Sequence, residues 1–312
     1  MKEKALFSRI DRRRFLAHVG MGLAAGIGAG LDSMSSAQAV EPIHRPGKPR
    51  LRLSMAAYSF RDYFKPNAKP KMDLHRFIDY CADHGCDGTE LTSYYFPKNL
   101  TRDYLIEIKR HAFLRGLDIS GTAVGNNFAL PDGPDYRSQI ALVKQWIDYA
   151  AVFGAPHIRV FAGRAKGIDK KEAKKQCIRA LEECGDYAAK YGIWLGLENH
   201  GGIVADVNDL LDIIRSVQSR WVGVNLDTGN FWGTDNPYHD MERLAPYAVN
   251  VQYKVKIRWP GRGKVPSDPK RIKAILENAG YQGYVALEYE ENDPWGEIPQ
   301  WLARLREVFE GG

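Results

Sequence analysis

The chain has 312 residues, 44 Lys and Arg against 38 Asp and Glu, and a net charge of +6, with an ordinary globular share of hydrophobic residues at 44%. Residues 1–39 hold six of the basic and three of the acidic residues, so the remainder is only +3, which argues against a nucleic-acid partner. The four Cys form no obvious disulfide framework. Cys177 and Cys184 lie seven apart in a helical stretch, roughly 10 Å along its axis, and Cys81 and Cys86 read as buried free thiols.

The chain opens on SRIDRRRFL (8–16), in which Arg12-Arg13-Arg14-Phe15-Leu16 fits the twin-arginine export pattern. A weakly apolar, Gly-rich stretch follows, VGMGLAAGIGAGL (19–31), and then Ala37-Gln38-Ala39, a small-x-small cleavage signal. Residues 1–39 are therefore expected to be a twin-arginine signal peptide, and the protein to act outside the cytoplasm, in the periplasm. The apolar stretch is too short and too rich in Gly for a comfortable membrane span. A membrane enters only through export, with cleavage after Ala39 and retention as an anchor both open.

A Pro-rich leader (40–50) precedes a regular alternation of short apolar runs and amphipathic stretches. The runs are LRLSMAAYSF (51–60), CDGTELT (86–92), LDISGTAV (117–124), PHIRVFAG (156–163), IWLGLEN (193–199), WVGVNLD (221–227), VNVQYKV (249–255) and YVALEYE (284–290). The helical stretches between several of them end at Gly85, Gly116, Gly154, Gly192 and Gly280, the usual helix stop. Eight strand–helix units without a linker predict an α/β fold, a single-domain (β/α)8 TIM barrel over 51–312. A doubly wound open sheet would offer a Gly-rich phosphate turn after its first strand, and Tyr58-Ser59-Phe60-Arg61-Asp62 is not one.

Chemistry in such barrels sits at the C-terminal strand ends. Those ends carry Glu90, Arg159, Glu198 with His200, Asp227 with Asn230, Gln252 with Lys254, and Glu288 with Glu290. Carboxylates crowded at one rim raise one another's pKa unless a cation joins them. Glu198, Asp227, Gln252 and Glu288 come from four consecutive strands, and four oxygen donors suit a hard dication, Mn²⁺ or Mg²⁺, better than Zn²⁺. A ring of ion pairs with Arg159, Lys254 and Lys256 is the competing reading.

The pieces CDGTEL, GAPHIRVFAG, LGLENH, NLDTGN and GYVALEYE resemble the xylose isomerase-like TIM barrel superfamily, the sugar phosphate isomerase/epimerase group, over essentially all of 51–310. The resemblance implies a metal held by Glu198, Asp227, Gln252 and Glu288, with the two Glu exchanging a proton with substrate. Gln252 stands where relatives tend to carry a ligand His, and Asn230 where a further His is usual. An amide oxygen can ligate but cannot shuttle protons.

The expected activity is sugar isomerisation or epimerisation by proton transfer beside a carbonyl, through an enediolate. Glu198 and Glu288 serve as base and acid, with His200 and Lys254 as catalytic candidates at the substrate oxygens. Glu90, Arg159, Asn230, Trp232 and Tyr58 are the expected substrate contacts, aromatic rings being apt for the apolar face of a sugar. The segment 257–268, IRWPGRGKVPSD, reads as a basic lid or a solvated loop. The alternatives are an exported lyase or hydratase of keto-sugars or 3-keto-glycosides, and a non-catalytic sugar-binding protein. An endonuclease-like rim would need more His than the chain supplies. The partner is a small sugar; a homo-oligomer stays open.

Overall fold

The computed structural model describes residues 40–310, so the expected export signal lies outside the described residues. Eight parallel strands close into a barrel: β1 (Arg50–Ala56), β2 (Gly88–Thr92), β3 (Asp118–Ala123), β4 (His157–Val160), β5 (Trp194–Glu198), β6 (Val222–Asp227), β7 (Ala248–Tyr253) and β10 (Gln282–Leu287). Between β7 and β10 the chain adds an antiparallel hairpin, β8 (Lys256–Trp259) with β9 (Gly263–Pro266). The helices are α1 (Leu74–Asp83), α2 (Arg102–Leu114), α3 (Pro134–Phe153), α4 (Lys170–Ala189), α5 (Val207–Ser216), α6 (Pro237–Leu244), α7 (Pro269–Asn278) and α8 (Pro294–Glu310). The barrel and the single domain are as the alternation of elements predicts. Among the described residues no helix is long and apolar enough to cross a membrane.

The local chemistry explains the boundaries. Asp73, Thr101, Asp169, Asp206, Asn236 and Asp268 each accept a backbone N–H of the first helical turn, satisfying donors that would otherwise be orphaned. At the end of α3, Gly154 takes a left-handed φ of 89° and its N–H returns to Ala150 O. The leader is tied to the barrel. Ile43 N donates to Pro246 O at 2.8 Å and Arg45 Nη2 to Ala248 O at 2.6 Å, at the start of β7.

Three strand ends differ from expectation. β1 stops at Ala56, and residues 57–60 wind into a 3₁₀ turn. The turn is held there because the Ser59 hydroxyl donates to Leu287 O at 3.2 Å and accepts from Tyr289 N at 3.0 Å. β7 and β10 end at Tyr253 and Leu287, so Lys254 and Glu288 are the first residues beyond their strands. All four Cys are buried free thiols.

Candidate active site

Two layers of buried polar side chains fill the upper barrel. The lower one consists mainly of amides. Gln252 Nε2 donates to Glu90 Oε1 at 2.7 Å, and Asn225 Nδ2 donates to Gln252 Oε1 at 2.8 Å. Asn250 Nδ2 donates to Glu90 Oε2 (3.0 Å) and lies 2.9 Å from Asn225 Oδ1. His157 sits beside them, its Nδ1–H donating to Ser120 O at 2.9 Å. Gly121 makes room for it, because a Cβ there would stand 1.8 Å from the imidazole. His157 Nε2 has no partner and lies 3.8 Å from Glu90 Oε2. Burial lowers the His157 pKa to about 4, so this contact is not an ion pair. Burial pushes the Glu90 carboxyl up to about 7, with Glu288 adding to the rise.

The upper layer is charged. Lys254 Nζ lies 2.7 Å from Glu288 Oε2, 2.9 Å from Glu290 Oε1 and 3.4 Å from Asp227 Oδ2. Burial opposes its charge, but those three carboxylates outweigh burial and hold its pKa well above the usual lysine value. Across the mouth, Arg159 Nε is 3.0 Å from Glu198 Oε2. This is an ion pair by distance, without the N–H aligned as a hydrogen bond. Asn230 Nδ2 links the halves, donating to Asp227 Oδ2 at 2.8 Å and Glu198 Oε1 at 3.2 Å. Burial pushes Glu198 up to about 7 against the pull of Arg159, and Asp227 up to about 7 against the pull of Lys254; Glu288 adds to both. Glu290 goes the other way, because Lys254 outweighs its burial.

The expected residues therefore fall into three groups. Glu198, Asp227, Glu288, Lys254, Arg159 and Asn230 are brought together at the mouth. Gln252 and Glu90 are not at its surface: the register pairs Asp227 with Gln252, but the amide of Gln252 turns down into the lower layer. The four oxygens expected around one ion are thus divided between layers, and an ammonium stands among the carboxylates. Among the described residues, no three Asp, Glu, His or Cys side chains are grouped as a metal site. The third group lies at the rim. Trp232 is 53% exposed, Tyr58 is half-buried, and the His200 side chain is 54% exposed. His200 Nε2 is 3.9 Å from Glu198 Oε1, and partial burial lowers its pKa against the pull of Asp227.

Asn199 is a residue the sequence reading passed over. Its amide donates to Asp227 O (2.8 Å) and accepts from Asp227 N (2.9 Å), clamping β5 to β6 directly beneath the site. Its place inside LGLENH was the available signal. Phe161 is a second: its ring stacks under the Arg159 guanidinium at 3.9 Å and lies 4.5 Å from His200.

A cleft of about 190 Å³ opens over the mouth, lined by His200, Trp232, Lys254, Arg258, Glu288 and Glu290 among others. A second, of about 300 Å³, runs along Asn126, Phe161, Gly163 and Gly201 and shares His200 with the first.

The profile of the xylose isomerase-like TIM barrel family matches residues 78–305. The chain belongs to that family. Inosose isomerase of Halalkalibacterium halodurans is 23% identical over 237 residues, 69% of this chain and 82% of that one. Among solved structures, a D-psicose 3-epimerase with D-fructose superposes with a TM-score of 0.66 at 16% identity, covering 84% of this chain and 100% of that one. The 3-keto-D-glucoside 4-epimerase YcjR of E. coli superposes with a TM-score of 0.65 at 17% identity, covering 82% and 99%.

Proposed function

We propose that this chain is a sugar isomerase or epimerase that moves a proton at a carbon beside a carbonyl. The observation that carries the reading is the pair Glu198 and Glu288. Both are buried at one mouth and held by fixed cations, and Glu198 is poised near neutrality, where a carboxylate can both take and give a proton. The names of the curated and structural relatives, isomerases and epimerases of sugars and a cyclitol ketone, support the same class.

In this reading Glu198 and Glu288 exchange the proton with the carbon, one acting as base and the other as acid. The charge that develops on the substrate oxygen is met by the Lys254 ammonium, already desolvated and held in place. Asn230 keeps Glu198 and Asp227 at fixed spacing, and His200 can donate to a substrate hydroxyl.

A hard dication fits the donors by chemistry and charge. Glu198, Asp227, Glu288 and Glu290 pair with Arg159 and Lys254, four carboxylates against two cations. Glu198, Asp227 and Glu288 would hold it. Bound there, Mn²⁺ or Mg²⁺ would supply Lewis-acid polarisation of the carbonyl.

A second reading, lyase action on a keto-glycoside, is favoured by the two clefts that meet at His200, one for the sugar and one for its substituent. Export by residues 1–39 belongs to the same proposal and would place the enzyme among free sugars and glycosides. The deciding test is solvent exchange in D₂O with ketoses and keto-glycosides, followed by NMR, with Mn²⁺ and with chelator. Deuterium on a carbon next to the carbonyl is expected. Deuterium with loss of the aglycone selects the lyase, and no exchange with any ketone in either condition overturns both.

A further inference from the structure

The hairpin β8–β9 forms one wall of the mouth cleft, and its charge pattern is not explained by packing. Its strand alternation puts Ile257 inside, fully buried, while Lys256 and Arg258 share the other face. Lys264 stands directly opposite Arg258 in the antiparallel register. Like charges directly opposite one another destabilise a strand pair. All three cations line the cleft. Glu291 pairs with two of them: its carboxylate is 2.7 Å from Lys256 Nζ and 3.5 Å from Lys264 Nζ. Arg258 has no carboxylate partner among the described residues. Its guanidinium lies 3.9 Å over the ring of Trp232, the exposed aromatic of the same cleft. That stacking fixes the plane of the fork and leaves its N–H edge free to bind in plane.

The wall is anchored. Arg258 N reaches Gly229 O at 3.5 Å, Ser267 N donates to Val255 O at 3.0 Å, and Lys254 N donates to the Thr228 hydroxyl at 2.8 Å. Gly229 permits this approach, since a Cβ there would stand 2.6 Å from Lys254 Cγ. The deep carboxylates pair with Lys254 and Arg159, and Glu290 is also drawn by Lys264. The cleft is thus negative at its floor and positive at its outer wall. A neutral sugar would leave the Arg258 guanidinium without an anionic partner.

We infer that Arg258, with Lys264 behind it, is an anion-recognition site, and that the substrate is a small sugar derivative carrying an anionic group, a carboxylate or a phosphate, at the end remote from the reacting carbonyl. The inference deepens the isomerase reading and rests on it for the rest of the ligand, while the anion site itself stands on the hairpin alone.

The test is calorimetric titration of the full chain with D-fructose, D-fructuronate and D-fructose 6-phosphate, and separately with inorganic phosphate and with malonate. The wild type is expected to bind one of the two charged sugars more tightly than fructose by roughly ten- to hundredfold, the range of a charge-assisted bidentate contact. Whichever charged probe prevails identifies the source of the anion. Arg258→Ala is expected to remove that preference, so that a charged sugar binds no more tightly than fructose does to the same variant. Lys264→Gln should lower the preference in part, and guards against misfolding of the first variant. Equal binding of the three sugars, or a preference that survives Arg258→Ala, overturns the inference while leaving the isomerase reading intact. Should no sugar bind, the isomerase reading fails instead. Phosphate or malonate binding that is lost in Arg258→Ala then sustains the anion site, and its absence in the wild type ends it.

Discussion

The two polar layers of the barrel are adjacent in register yet built on opposite principles. The lower layer pairs Gln252, Asn225, Asn250 and Glu90 through donors and acceptors, and among its side chains only His157 Nε2 is left over. The upper layer crowds four carboxylates around two cations. Buried charge is costly unless paired, so a chain selected for stability alone would have extended the amide pattern upward. The difference locates function: the paired layer is a foundation, and the unbalanced layer is where substrate charge, a dication or a moving proton finds its complement.

The sharpest way to break this comparison is at the proton-transfer pair. Glu198→Gln and Glu288→Gln keep shape and lose basicity. Each is expected to lower the D₂O exchange rate by roughly 10²–10⁴-fold, and full exchange in either variant removes that residue from the chemistry. Next comes Lys254→Met, which strips the cation from Asp227, Glu288 and Glu290. Breaking a buried pair costs about 3–5 kcal/mol, roughly 10 °C in Tm for a domain of this size. The loss should shrink at acid pH, where protons replace the missing ammonium. A Tm unchanged at pH 8 would mean that the cluster was not held by Lys254.

Much of this was legible in the chain. The eight runs and their Gly stops predict the barrel, because parallel strands buried on both faces need near-continuous apolar sequence. The mouth residues Glu198, Asp227, Lys254 and Glu288 follow from reading strand ends. Depth was harder to read. Gln252 and Glu90 sit at the right sequence positions, but whether an amide faces up to an ion or down to a neighbour depends on which partner across the barrel reaches it. Asn225, Asn250 and Glu90 come from three different strands. The hairpin β8–β9 was visible only as a basic, Gly/Pro-rich segment, since four-residue strands give too little alternation to separate a wall from a loop.

Gln252→Leu tests the foundation. It leaves Asn225 Nδ2 and Glu90 Oε1 without their partners, and a loss of about 2 kcal/mol is expected. Calorimetric Mn²⁺ titration then separates two roles. Unchanged affinity assigns the amide to the lower network alone, and weakened affinity assigns its carbonyl to the ion as well.

The smallest expected effect is a tilt in the dependence of stability on pH. Glu90 is held at about 7 in the folded chain against an ordinary 4.5. Below pH 4.5 it is protonated folded or unfolded, and its contribution is fully present. Between 4.5 and about 7 the folded chain keeps a proton that the unfolded chain has released, so stability falls as pH rises through that window. Glu90→Gln is neutral throughout and can still accept from Gln252, but an NH2 in the Oε2 position toward His157 gives up the hydrogen bond from Asn250. Its Tm is expected to rise relative to the wild type between pH 4.5 and pH 8, read by thermal melts across the window. A Tm that falls relative to the wild type across that window would show that the ionised carboxylate, and not the proton, is what the lower layer is built to hold.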